Sequence, residues 1–281
     1  MAGREHIQRA VELFGANSSL NHGALVLALE APNFLSDLLV ALGYPTTGLS
    51  RTEELLTAAR RSCDPNTIAR SLFSQGIQHV LLRDSANVAE YADEILSIVA
   101  EYENLLALLG ARFLRGWAKA AAGRIDEGVA EMRGSVTHPM IAEGLVAAVM
   151  LVALAETCGR AGRVAEALDL ITEGLTAAEG TGLRFVDAEL HRLKAELLII
   201  QGHNGIEAER CLRTAIDVAR RQGARLFELR ATVSLARLLK QQRKTDEARR
   251  MLTEIYNWFT EGFDTADLKA AKALLNELQK V

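Results

Sequence analysis

The sequence predicts an all-α protein, a right-handed α-solenoid of stacked helical hairpins, on three observations. Hydrophobic residues make up 49% of the 281 residues, yet aromatic residues contribute only 5%. The apolar content is therefore mostly Ala, Leu, Val and Ile, and Ala and Leu are strong helix formers. Only four prolines occur, which leaves long helices uninterrupted. The third observation is an internal repeat.

The repeat consists of a long apolar helix, a turn with Gly or a charged residue, and a second amphipathic helix. Typical turns read "GRIDEGV", "GRVAEAL" and "QRKTDEAR". A small residue near the start of each second helix marks the period, at Gly48, Ala89, Gly128, Ala167, Ala208 and Ala248. The spacings between these residues are 41, 39, 39, 41 and 40. Because a single hairpin cannot bury its apolar face, neighbouring hairpins must stack.

The helical hairpins follow one another along the chain within a solenoid predicted over residues 22–262. Their expected ranges are 23–62, 66–102, 105–137, 139–180, 183–222 and 224–260. Three helix starts carry local signals. Asp64 before Pro65 predicts an N-cap, Ser50 with Glu53 fits a capping box, and Pro139 suits a first helical position.

The two ends of the chain differ from the repeats. Residues 263–281 predict a C-terminal capping helix, and residues 1–21 contain a helix over 3–14 that resembles the second half of a hairpin. Its apolar face lacks a preceding partner helix, so we expect an incomplete N-terminal repeat and self-association through this helix. We interpret the chain as the C-terminal piece of a longer architecture.

Several classes of protein are disfavoured by composition. No apolar run reaches the length of a membrane span, and the charged N-terminal stretch lacks the apolar centre of a secretory signal. Cys63, Cys158 and Cys211 are scattered, without the spacing of a disulfide framework or a zinc site. We therefore expect a cytoplasmic protein without a metal or another cofactor.

The turn "GRVAEAL" resembles tetratricopeptide repeats, in a variant of about 40 residues. Over residues 183–280, "AELHRLKAELLIIQG" and "WFTEGFDTADLKAAKALLNEL" closely resemble the C-terminal end of large bacterial signalling proteins. Those proteins join a class III adenylate or guanylate cyclase domain, or another effector, to a predicted ATPase and tetratricopeptide repeats. A weaker resemblance extends back through "LRGWAKAAAGRIDEGVAEMR" to "GYP" at Gly43.

The resemblance implies a non-catalytic interaction or regulatory module that works with cyclase or ATPase domains in cis or in trans. The phosphate-binding pattern GxxxxGK[ST] of the ATPase does not occur in the chain. Any cyclase or ATPase activity would therefore belong to domains outside this sequence.

The stretch Arg184–Gly202 concentrates five polar or charged side chains within eight residues and raises the question of an active site. On a helix, Glu189, Arg192 and Glu196 share one face, which in tetratricopeptide repeats lines a concave groove. The equivalent positions of neighbouring hairpins extend this candidate binding groove to twelve residues: Phe113, Trp117, Val152, Glu156, Arg160, Glu189, Arg192, Glu196, Arg230, Val233, Arg237 and Lys240. Such a groove, basic near its C-terminal end, suits an extended acidic-hydrophobic peptide.

The same residues are compatible with three alternatives. The groove residues could equally form internal salt bridges without a ligand. The module could instead sense a small molecule and pass the change to an attached ATPase or cyclase. The third alternative is nucleic-acid binding, since residues 209–250 carry twelve Lys and Arg against five Asp and Glu. The overall charge of −4 and the shortage of aromatic residues argue against it.

A catalytic role is the least favoured interpretation of the stretch. His191 lacks a nearby nucleophile, so we expect a partly exposed structural histidine. We expect Cys211, Trp117 and Trp258 to have packing roles.

Overall fold

A computed structural model describes residues 32–279, apart from residues 34, 143–144, 182–183 and 203–204. All regular secondary structure in these ranges is helical, as the composition predicts. Residues 35–41 form a short helical segment. The helices that follow are α1 (Pro45–Ser62), α2 (Pro65–Leu81), α3 (Val88–Glu101), α4 (Leu105–Ala121), α5 (Ile125–Val136), α6 (Pro139–Ala142), α7 (Leu145–Arg160), α8 (Val164–Thr181), α9 (Asp187–Ile200), α10 (Gly205–Gln222), α11 (Arg225–Gln241), α12 (Thr245–Tyr256) and α13 (Ala266–Leu278).

Consecutive helices pack against each other in pairs, and the pairs stack. Helices α2 and α3, α4 and α5, α7 and α8, α9 and α10, and α11 and α12 form the pairs. The first helices of neighbouring pairs also touch, so that α2, α4, α7, α9 and α11 form one continuous inner row that ends on α13. This arrangement is consistent with an α-solenoid. The helix predicted over residues 3–14 lies outside the described residues.

Small residues allow the two helices of a pair to approach closely. A Cβ atom on Gly128 of α5 would lie 2.4 Å from the carbonyl oxygen of Gly116 on α4. Ala167, Ala208 and Ala248 are completely buried, as the repeat pattern predicts. The prediction is wrong for Ala89, which is exposed, whereas Ala92 is the buried small residue of α3. The reason is that the buried face of α3 runs through Val88, Ala92 and Ile95, and Ala89 lies about 100° around the helix from Val88.

Two of the three predicted helix starts are confirmed. Asp64 is the N-cap of α2, where its Oδ2 accepts a hydrogen bond of 2.9 Å from the backbone N–H of Thr67. Helix α6 begins at Pro139. The capping box at Ser50 is wrong because α1 already begins at Pro45, which places Ser50 inside the helix.

The start of α1 meets the segment between α12 and α13 near the end of the described chain. Glu261 accepts hydrogen bonds from the backbone N–H of Thr47 at 2.9 Å and from its hydroxyl at 2.7 Å. The rings of Tyr44 and Trp258 lie edge to face with centroids 5.6 Å apart. The stack is therefore bent until its ends touch, and the segment before α13 packs on the start of α1. We call this contact the closure.

The closure leads to a prediction about two glycines with the same backbone conformation. Gly262 (φ 74°) and Gly162 (φ 75°) both adopt the left-handed region, where alanine is strained. A Cβ atom on Gly262 would lie 2.2 Å from Cγ of Pro45, whereas one on Gly162 would meet no atom within 4 Å. We expect Gly262→Ala to destabilise the protein by about 1–3 kcal/mol more than Gly162→Ala. Urea unfolding measures both, and equal losses would mean that the ends do not touch in solution.

Candidate functional site

Three of the charged residues in 184–202, Glu189, Arg192 and Glu196, form ion pairs on the inner side of the stack. On α9, the guanidinium of Arg192 donates to both oxygens of Glu189, at 3.0 and 3.1 Å. The same guanidinium contacts Glu196 Oε1 at 2.8 Å. Arg192 and Glu189 are each only 2% exposed. Their spacing of three and four residues along one helix makes these pairs possible, as the sequence predicts.

Helix α11 contributes Arg230, which connects four parts of the chain. Its guanidinium contacts Glu189 on α9 at 3.2 Å and Asp267 on α13 at 2.7 Å. It also donates a hydrogen bond to the backbone carbonyl of Leu81, at the end of α2. A buried guanidinium needs acceptors for its N–H groups, and here those acceptors come from three other elements.

Arg83 extends the same network to the turn after α2. Its backbone is left-handed (φ 57°), and its side chain contacts Glu156 on α7 at 2.7 Å and Asp267 at 3.0 Å. We call the resulting set of three arginines and four carboxylates the central ion network: Arg83, Arg192, Arg230, Glu156, Glu189, Glu196 and Asp267. Its carboxylates outnumber its guanidinium groups by one.

The pKa values of two buried groups in the network, Glu189 and Arg230, are shifted by burial and by their partners. Burial alone would raise the pKa of Glu189, but the charges of Arg192 and Arg230 outweigh burial and lower it to about 2. Burial would likewise lower the pKa of Arg230, yet Asp267 and Glu189 raise it above the ordinary arginine value. Glu189 and its arginines are therefore charged at neutral pH, and removing one partner from such a buried pair costs about 3–5 kcal/mol.

The twelve candidate groove residues are separated by the fold into three groups. Glu156, Glu189, Arg192, Glu196 and Arg230 belong to the central ion network. Phe113, Trp117 and Val152 belong to the apolar core, and Val233 is buried as well. Arg160, Arg237 and Lys240 remain at least partly exposed. Seven of the twelve are thus buried: Phe113, Trp117, Val152, Glu189, Arg192, Arg230 and Val233.

A continuous open groove along these twelve residues is therefore not present in the structure. The inner row of helices bends around its own side chains, so that the guanidinium groups pair with carboxylates of the same chain. For Glu189, Arg192 and Arg230, the structure has the internal salt bridges that the sequence analysis gave as an alternative to a ligand site. Arg83 and Asp267 were not predicted from the sequence. One signal for Asp267 was available, because it shares the apolar face of α13 with Ala271 and Leu274, four and seven residues further on.

An open cleft remains at one end of the inner row, between α11 and α13. Its volume is about 580 Å³, and its lining residues are Arg237, Lys240, Gln241, Ala270, Ala273, Leu274 and Glu277. Lys240 contacts Glu277 at 2.7 Å, whereas the exposed side chain of Arg237 makes no ion pair within the described part of the chain. We call this the α11–α13 cleft.

The residues considered for catalysis lie apart from this cleft. His191 is half-buried, and burial lowers the pKa of its imidazole below the usual value, outweighing the charge of Asp187, which would raise it. Cys211 is buried, and burial raises the pKa of its thiol, which disfavours the reactive thiolate. Trp258 packs against Tyr44, Phe259 and the guanidinium of Arg225 at the closure.

Within the described ranges, no group of three or more His, Cys, Asp or Glu residues is arranged to hold a metal ion.

Comparison with known proteins adds one relative. No family model matches the chain. A stretch of 191 residues is 28% identical to an uncharacterized protein of Rhizobium meliloti (strain 1021). The match covers 66% of this chain but only 18% of the relative, so the similar region is a small part of a much longer protein. Among the described helices, none combines the length and apolar character that crossing a membrane requires.

The low pKa of Glu189 predicts how stability depends on pH. Its pKa falls from 4.5 to about 2 on folding, so its contribution is present above pH 4.5 and is lost as the pH falls towards 2. We expect Glu189→Gln to lower the free energy of unfolding by on the order of 3 kcal/mol at neutral pH, and by progressively less below about pH 4.5.

Urea unfolding of both proteins at a series of pH values measures this difference. The control is Asp169→Asn on α8, which removes an exposed carboxylate and should leave little difference at any pH. A loss for Glu189→Gln that stays constant between neutral and acidic pH would contradict the network as described.

Proposed function

We propose that this chain is a non-catalytic regulatory module, a right-handed solenoid of tetratricopeptide-like hairpins with a period near 40 residues. In this proposal it serves a larger signalling protein, with cyclase or ATPase domains in cis or in trans, by binding a segment of a partner protein. Three features support the proposal. Helices pair and stack along the chain, small residues occur at the helix contacts, and the similar region of the relative lies within a far longer protein.

The observation that carries the proposal is the α11–α13 cleft. The basic end of the groove, Arg237 and Lys240, stays accessible as part of this cleft. Ala270, Ala273 and Leu274 provide an apolar wall across from these cations. A segment that places a carboxylate near Arg237 and apolar side chains on α13 would match both features. The proposed ligand is therefore the acidic-hydrophobic peptide that the sequence favours, at a shorter site.

The central ion network would have a supporting role in this function. Asp267 fixes the first turn of α13 through Arg83 and Arg230, and α13 forms one wall of the cleft. Since Arg192 and Arg230 are buried and paired, their replacement would change stability together with binding. Arg237 is exposed, so its replacement addresses binding more directly.

The test uses a display library of short acidic-hydrophobic peptides, followed by fluorescence anisotropy on the selected sequences. We expect Arg237→Glu to weaken binding by about tenfold or more, because it places a like charge opposite the peptide carboxylate. Binding to the wild type should also weaken with increasing salt.

The matched control is Arg221→Glu, which makes the same charge change at an exposed position of α10. It should bind the selected peptides as the wild type does. If both variants lose affinity equally, the effect is one of net charge and the cleft is not the site. If the wild type selects no peptide whose binding depends on Arg237, the proposed function is wrong.

A further inference from the structure

A second cleft lies at the closure, at the other end of α13. Its volume is about 810 Å³, within the range of small-molecule sites. Its walls come from the start of α1, the end of α2, the turn that follows, one residue of α3 and the start of α13. We call this the closure cleft. Because its walls come from both ends of the described chain, it exists only where the stack is closed.

One wall of the closure cleft contains a buried amide with an unmet acceptor. Gln75 is 3% exposed and donates through Nε2 to Glu53 Oε2 at 2.7 Å. Its Oε1 accepts no hydrogen bond within the described part of the chain. This oxygen has almost no exposed surface, so a ligand N–H group would reach it only when the Gln75 side chain turns towards the cleft. A buried acceptor without a donor costs about 1–3 kcal/mol, and that contact would recover part of it.

The neighbouring side chains also favour a donor. His79 Nδ1 lies 3.0 Å from Asp84 Oδ2, and in the neutral tautomer whose Nδ1–H donates to this carboxylate, Nε2 is an acceptor. The ring of Tyr91 lies 5.6 Å from the ring of His79 and adds an aromatic surface. Glu53, Asp84, His79 and Tyr91 all line the cleft. Two carboxylates, an amide oxygen and an aromatic ring form a setting that attracts an organic cation.

The electrostatic balance of this wall is negative. Arg83 lines the cleft, but Glu156 and Asp267 already neutralise its guanidinium. Lys269, exposed on α13, makes no ion pair with another described residue. Among the described residues that line it, the cleft thus has the carboxylates of Glu53 and Asp84 on the side of α1 to α3, and the carboxylate of Asp264 together with Lys269 on the side of α13.

We propose that the closure cleft binds a small molecule through a primary ammonium group. The ammonium would lie against Gln75 and Glu53, with the rings of His79 and Tyr91 beside it. Simple amines and α-amino acids share this group, and an amino acid would also place its carboxylate near Lys269. Such a site is what the small-molecule-sensor alternative requires. It does not depend on peptide binding at the α11–α13 cleft, which contains none of these residues.

Isothermal titration calorimetry of the full chain tests the proposal with four compounds: 1,4-diaminobutane, L-leucine, L-leucine methyl ester and N-acetyl-L-leucine. We expect binding by at least one compound with a free ammonium at concentrations up to about 10 mM, and none by N-acetyl-L-leucine, in which that group is blocked. If the affinity for L-leucine exceeds the affinity for its methyl ester, and Lys269→Gln removes this difference, the ligands are amino acids. Binding by diaminobutane alone identifies amines.

Variants locate the binding to the cleft. Glu53→Gln and Gln75→Leu should each weaken the ammonium compounds about tenfold or more, whereas the exposed Asp169→Asn should bind as the wild type does. Circular dichroism checks folding, and if Gln75→Leu does not fold, Glu53→Gln decides, since Glu53 is exposed. Binding by N-acetyl-L-leucine equal to that of L-leucine, binding unaffected by Glu53→Gln, or no binding by the three ammonium compounds would each overturn the proposal.

Discussion

The architecture depends on Arg230. A guanidinium that is nearly removed from water must find carboxylates and carbonyl oxygens, since an unpaired buried charge costs several kcal/mol. Arg230 meets this need with Glu189 from α9, Asp267 from α13 and the carbonyl of Leu81 from α2. These groups are far apart in the sequence, and pairing them around one side chain holds the two ends of the stack together.

The closure determines where a ligand could bind. A stack of helical hairpins that stays open offers its inner row as one long surface, but here the inner row is occupied by its own ion pairs and by apolar residues such as Phe113. The two clefts described above lie on either end of α13. Helix α13 therefore does more than cover the last hairpin, because it contributes Asp267 to the central ion network and walls to both clefts.

Local patterns account for what could be predicted. The pairing of helices follows from apolar spacing within each helix, and the close contacts follow from small residues such as Gly128 and Ala167. The pairs of Arg192 with Glu189 and Glu196 follow from spacing along one helix. The same local logic failed at Ser50, because α1 already begins at Pro45, and at Ala89, because the buried face of α3 runs through Val88 and Ala92 instead.

The sequence by itself determined that the chain is helical, that its helices pair in order, and that α9 places acidic and basic residues on one face. Only the tertiary structure decided that this face is buried. The partners of Arg230 and Arg83 include Asp267, which lies 37 and 184 residues away. Whether a helix face is filled or open depends on the small rotation between successive pairs, accumulated over the whole stack. That sum is a property of the packed helices together, and no single stretch of the sequence contains it.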